Sequence, residues 1–188
     1  SMYEIKNYSY LKNIGNISNE AFELHFKLYE GYVKNTNILL SKFVTSEEKS
    51  PEYNELHRRF GWEFNGMRLH ELFFDSISST KTSFEVENLA KVFSENFGSF
   101  EAWKKDFYNQ CAIRGMGWSM LVHDKRTGKF FNTWVNEHDA GMLADVKIIL
   151  NIDMFEHAYF KDFGTDRVSY IDSIFEHLDW QVLESRTK

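Results

Sequence analysis

Three histidines and one aspartate lie in stretches too apolar to be ordinary solvated surface. His25 sits between Leu24 and Phe26, and His70 between Leu69 and the run Glu71-Leu72-Phe73-Phe74. Asp153 ends the run Ile148-Ile149-Leu150-Asn151-Ile152, and His157 follows four residues later, a spacing that would set both on one side of a helical turn. A lone histidine is usually solvated or held by a core hydrogen bond, so none of the three carries weight by itself. A carboxylate closing an apolar run is different: it must be charged and paired, or bound to a cation. Three imidazoles and one carboxylate form a nitrogen/oxygen donor set that suits redox-active iron or manganese.

Competing chemistries lack their residues. A single cysteine, Cys111, rules out a thiolate zinc or iron–sulfur site. His70-Glu71-Leu72-Phe73-Phe74 lacks the second histidine of a zincin, and no paired Glu-x-x-His marks a di-iron bundle. Phosphate-binding glycine loops and a Gly-x-Ser-x-Gly elbow are also missing. What stays open is a mononuclear metal site, including an oxygenase site of two histidines and a carboxylate, which the extra histidine disfavours.

The elements that must position these groups follow from the hydrophobic rhythm. With 188 residues, 43% apolar and 17% aromatic, the chain can build a packed core, and a net charge of −6 argues against a dedicated nucleic-acid binder. No apolar run approaches the ~18 residues of a membrane span. The lone cysteine, and an N-terminus without a leader's apolar stretch, suit a cytoplasmic protein. Ser18 caps a helix whose apolar residues recur from Ala21 to Phe43, and a second helix is expected from about Tyr53 to Ile77, interrupted at Gly61 and Gly66. Ser76–Ser83 reads as a linker, with Thr82 and Glu85 offering a capping box. Helices through Phe97 and from Ser99 to about Ile113 precede two aromatic strands, Gly117–Val122 and Phe130–Val135. A third strand, Lys147–Asp153, and a helix over Arg167–Leu178 complete the pattern. The expected fold is α+β: an N-terminal α-hairpin domain (1–82), then a C-terminal α+β domain (83–188) with a three-stranded antiparallel sheet.

The segment Asp153-Met154-Phe155-Glu156-His157-Ala158-Tyr159-Phe160 resembles the Asp-x-Trp-Glu-His-Ala-Tyr-Tyr signature of the iron/manganese superoxide dismutases. Tyr32-Val33-Lys34-Asn35-Thr36-Asn37 resembles their first-helix Tyr-Val-x-x-x-Asn. Phe64-Asn65-Gly66 leading to His70 and Phe73 is similar to a shortened Phe-Asn-Gly-Gly-Gly-His-x-x-His-x-x-Phe. Phe97-Gly98-Ser99-Phe100, Gly115-Met116-Gly117-Trp118 and Arg167-Val168-Ser169-Tyr170 also fit in the family's order, over roughly residues 20–180.

The resemblance implies one iron or manganese ion per subunit, held by His25, His70, Asp153 and His157, and conversion of superoxide to dioxygen and hydrogen peroxide in a homodimer or larger homo-oligomer. It implies that Tyr32 borders the substrate channel, Trp118 walls the pocket, Glu156 reaches the partner subunit's ligand histidine, and Arg167 stands near the channel mouth. The alternative is a degenerate relative kept for metal binding or interaction, although all four ligand positions are filled. Where most members carry a glutamine beside the bound solvent, the loop here reads Asn136-Glu137-His138-Asp139, which points to His138. The family's usual eight-residue step from first ligand to channel tyrosine is seven here, His25 to Tyr32. A helix simply rotated to compensate would put Leu24 in the ligand position. Leu28 or Tyr29, with Phe160, replaces a cross-dimer histidine–tyrosine pair, and Asn151 matches neither the threonine nor the glycine common two residues before the aspartate.

Overall fold

In the computed structural model, which describes residues 2–188, the first helix starts at its expected cap. The Ser18 side chain accepts from the Ala21 amide at 3.1 Å, and α1 runs Asn19–Thr45. Its buried stripe of Phe22, His25, Tyr29, Val33, Thr36 and Leu39 recurs every three or four residues. Pro51 opens α2 (Pro51–Asp75) behind the cap Ser50, where its missing N–H leaves no bond unmade. Gly61 and Gly66 do not interrupt α2. Packing along α1 outweighs the penalty of about 1 kcal/mol that each glycine carries in a helix interior.

The helices α3 (Glu87–Phe97) and α4 (Phe100–Cys111) follow. The expected Thr82–Glu85 capping box is absent. Val86 precedes α3 without a side-chain cap, and the Thr82 hydroxyl donates instead to the Leu178 carbonyl, tying this segment to the C-terminal region. The strands β1 (Gly117–Asp124), β2 (Lys129–Asn136) and β3 (Lys147–Asp153) form an antiparallel sheet in the order β2-β1-β3. Its register sets Trp118 beside Val135 on one edge of β1 and beside Asp153 on the other. Three helices follow: α5 (Glu156–Phe163), α6 (Arg167–Glu176) and α7 (Trp180–Ser185). Asp153 and His157 therefore do not share a helical turn; Asp153 closes β3 and His157 lies in the first turn of α5. The Phe155 amide donates to Asp153 Oδ1 at 2.9 Å and folds the chain back between them. Among the described residues, no helix is long and apolar enough to cross a membrane.

The hairpin meets the rest of the chain through α1 on α5 and α2 on β3. One apolar core runs through both, from Phe73 and Phe74 on α2 to Trp118 on β1 and Ile152 on β3. Two polar side chains stitch α2 to β3. Asn151 Nδ2 donates to the Leu69 carbonyl at 2.8 Å, and the Arg186 guanidinium donates to the carbonyls of Leu72 and Ile149, each at 3.0 Å. The last turn of α2 holds no basic residue of its own, so Arg186 supplies both a donor and a positive charge to its carbonyl end. Replacing Arg186 by Ala should lower unfolding free energy by about 2–4 kcal/mol, because two charge-assisted bonds go and their acceptors stay covered. Arg186→Lys should recover part of the loss. Urea unfolding of both variants checks this, and two wild-type-like midpoints would contradict it.

Candidate metal centre

Four side chains from four elements converge between the hairpin and the sheet. His25 (α1), His70 (α2), Asp153 (end of β3) and His157 (start of α5) offer ligand atoms that all lie within 4.8 Å of one another. Their focus is a single oxygen. Asp153 Oδ2 lies 2.7 Å from His25 Nε2, 3.0 Å from His157 Nε2 and 3.3 Å from His70 Nε2. Asp153 and His70 have no exposed surface, and His157 is the most open, with 28% of its side chain exposed. The seven-residue step along α1 does not cost the site its first imidazole. The helix is regular, His25 faces in, and Leu24 is 49% exposed.

The proton positions show what such a cluster needs. His70 Nδ1 lies 2.5 Å from the Gly66 carbonyl, and a carbonyl only accepts, so Nδ1 carries the proton. A neutral His70 then turns a bare Nε2 lone pair toward Asp153 Oδ2, and that buried nitrogen has no hydrogen-bond partner. A lone pair aimed at a carboxylate oxygen is repulsive unless a cation lies between them. The donor set therefore fits a metal ion. Burial lowers His25 to about 4 despite its bond to Asp153. At His157 burial pulls the same way, but the charge and hydrogen bond of Asp153 outweigh it and raise the pKa. Burial would raise Asp153, yet His157 and His25 hold it well below the usual carboxylate range.

A second group stands beside the first. Trp118 Nε1–H donates to His138 Nδ1 at 3.0 Å. Indole only donates, so the neutral His138 carries its proton on Nε2 and donates it to Tyr32 Oη, 2.7 Å away. Tyr32's own hydroxyl proton is thereby left free for another acceptor. Glu137 takes a left-handed φ of 52°, which turns the fully buried His138 inward, and Asn65 Nδ2 holds the His138 carbonyl at 3.0 Å. Tyr32 in turn lies stacked on His70, ring centroids 5.5 Å apart. Phe155 stacks on His138 at 4.8 Å, so an apolar ring covers that side.

Of the remaining candidates, Glu156 lies exposed on the surface next to His157. The Arg167 guanidinium donates to the carbonyls of Cys111, Ile113 and Gly115 and lies over the Tyr159 ring. Leu28, 43% exposed, faces outward with Phe160, while Tyr29 is buried and donates to Glu71. Sequence reasoning passed over Trp62, whose ring lies 4.7 Å from His138 and 5.3 Å from Tyr32 and has the Arg59 guanidinium over it at 4.1 Å. The signal was present: Trp62, Gly66 and His70 are spaced by four, one ridge of a helix.

These environments set a pH dependence for the metal-free protein. Burial lowers His138, like His25, to about 4 from an ordinary 6.5. Between those values the unfolded chain binds protons that the folded chain does not, so stability is lost as pH falls from 6.5 to 4. His157, raised in the fold, acts only above its unfolded value and leaves this window flat. Urea unfolding of metal-free protein should show this slope. His138→Gln should make it shallower by up to about 1.4 kcal/mol per pH unit, and an identical slope in the variant would contradict the placement of His138.

Comparison with known proteins bears on the same site. The family model described as iron/manganese superoxide dismutases, C-terminal domain, matches residues 85–186. A superoxide dismutase of Aquifex aeolicus named for iron is 29% identical over 184 residues, 93% of this chain and 86% of that protein. Another of Pyrobaculum aerophilum, also named for iron, is 29% identical over 180 residues, 90% of this chain and 83% of that one. A superoxide dismutase of Halobacterium salinarum named for manganese is 37% identical over 116 residues, 62% of this chain and 58% of that protein. With more than half of its length matched, this chain belongs to the iron/manganese superoxide dismutase family.

Proposed function

We propose that the protein is a superoxide dismutase that uses one iron or manganese ion held by His25, His70, Asp153 and His157. The observation that carries this is the aim of three imidazole nitrogens at one buried carboxylate oxygen, with His70 Nε2 otherwise unpartnered. Bound there, the ion would supply reversible one-electron exchange and acidify a solvent ligand, so that two superoxide ions and two protons yield one dioxygen and one hydrogen peroxide.

The chain's own residues serve the proton and the pocket. Asp153 contributes the one negative charge of the donor set, and the Tyr170 hydroxyl holds its backbone carbonyl at 2.8 Å. Trp118 orients His138, His138 donates to Tyr32, and Tyr32 keeps its own proton to offer toward the site. Burial, with Asp153 and Glu63 adding to it, holds the Tyr32 phenol protonated well above its ordinary range. The Trp118 and Phe155 rings, centroids 6.5 Å apart and edge to face, line the pocket with apolar surface. Relatives named for iron and for manganese both match, and Asn151 favours neither, so the reading covers either ion.

The same reading includes a homodimer. His157 is partly exposed and Glu156 lies beside it, with Leu24 (49% exposed) and Leu28 (43%) on α1 and Phe160 (56%) on α5. A second copy over this face would cover a ligand and three large apolar side chains. The buried, unpaired Cys111 supports a reducing, cytoplasmic setting.

Metal analysis with a superoxide dismutation assay on iron-loaded and manganese-loaded protein tests the reading. One ion per chain and rapid dismutation in at least one form are expected; bound metal without activity in either form would refute it. Asp153→Asn should lose tight metal binding and activity together. Sedimentation should give twice the chain mass, shifting toward the monomer in Phe160→Asp; a wild-type monomer would remove the dimer from the proposal.

A further inference from the structure

The α2 ridge that carries His70 contains a residue whose lack of a side chain has a specific consequence. Gly66 is buried in the middle of an unbroken helix, where alanine is the better helix former. A Cβ at Gly66 would stand 2.4 Å from Tyr32 Cδ1, 2.6 Å from Cε1 and 2.7 Å from Cγ. Real carbon contacts do not come so close, so any side chain at this position must move the Tyr32 ring.

The ring has little room to yield. Trp62 lies 5.3 Å from it, His70 stacks on it at 5.5 Å and 21°, and His138 meets it edge-on at 4.9 Å. The seven-residue step from His25 explains the crowding. Seven residues return almost to the same face of α1, so Tyr32 points at α2 as His25 does. Its ring must then lie directly on the α2 backbone.

We infer that Gly66 is a positioning residue for Tyr32: by leaving the α2 backbone bare, it seats the ring where its hydroxyl meets His138 Nε2. The Gly66 carbonyl also receives the His70 Nδ1 proton, so one residue sets the tautomer of one imidazole and the position of the phenol stacked on it.

The inference rests on the dismutase reading only for the role of Tyr32, and the test separates the two. Wild type, Gly66→Ala, Tyr32→Phe and the double variant are compared as iron-loaded and manganese-loaded protein, with crystal structures of wild type and Gly66→Ala. Gly66→Ala is expected to fold and bind metal, melting lower than wild type because the clash must be relieved, and to lose activity several-fold. Adding it to Tyr32→Phe should cost little more, because the displaced hydroxyl is already gone. Its crystal structure should show Tyr32 Oη withdrawn from His138. Full activity with the Tyr32–His138 bond intact, or the same fractional loss in both backgrounds, would overturn the inference. An inactive wild type would refute the dismutase reading, while the crystal structures would still decide the seat. Should Gly66→Ala not fold, adding Tyr32→Ala should restore folding by removing the clash; failure to restore it would place the clash elsewhere and overturn the inference.

Discussion

A buried carboxylate oxygen faced by three imidazole nitrogens is the constraint on which the rest of this structure depends. Asp153 has no exposed surface, and desolvating a lone charge costs several kcal/mol. Hydrogen bonds from His25 and His157 cover part of that cost. They cannot cover His70, whose proton is held at Nδ1 by the Gly66 carbonyl. A cation bonded to both the His70 Nε2 lone pair and the Asp153 carboxylate would satisfy the two together.

Bringing four groups from four elements to one point requires the two halves to be held in register. The antiparallel sheet places Asp153 beside Trp118, and the turn after β3 swings His157 back toward the carboxylate. Asn151 and Arg186 fasten β3 to α2 on either side of His70. Trp118 belongs to both parts of the site, since it neighbours Asp153 in the sheet and fixes the tautomer of His138. The Tyr32–His138 pair and the four-residue cluster therefore share one scaffold. Displacing β1 would disturb both.

Much of this was legible in the sequence, because the physics that marks a ligand is local. A histidine or aspartate inside an apolar run is conspicuous, and the structure does bring those four together. Ser18 and the strand pattern marked the first helix and the sheet for the same reason. Tyr32, Trp118, Glu156 and Arg167 had no such mark; each reads alone as an aromatic in the core or an ion on the surface, and only resemblance to a family singled them out. The misreadings were matters of tertiary context. Gly61 and Gly66 should weaken an isolated helix, but α1 packs along it. Thr82 and Glu85 form a sound capping pattern, yet the Thr82 hydroxyl is taken by Leu178. Trp62 was missed because its partners, Tyr32 and His138, are far away in sequence.

The most direct test of the central claim is anomalous diffraction from crystals of the protein loaded with iron or manganese, measured at the edge of the metal used. One ion per chain is expected, bonded to Nε2 of His25, His70 and His157 and to Oδ2 of Asp153. An ion bound elsewhere, or one that leaves His70 Nε2 outside its coordination, would contradict it.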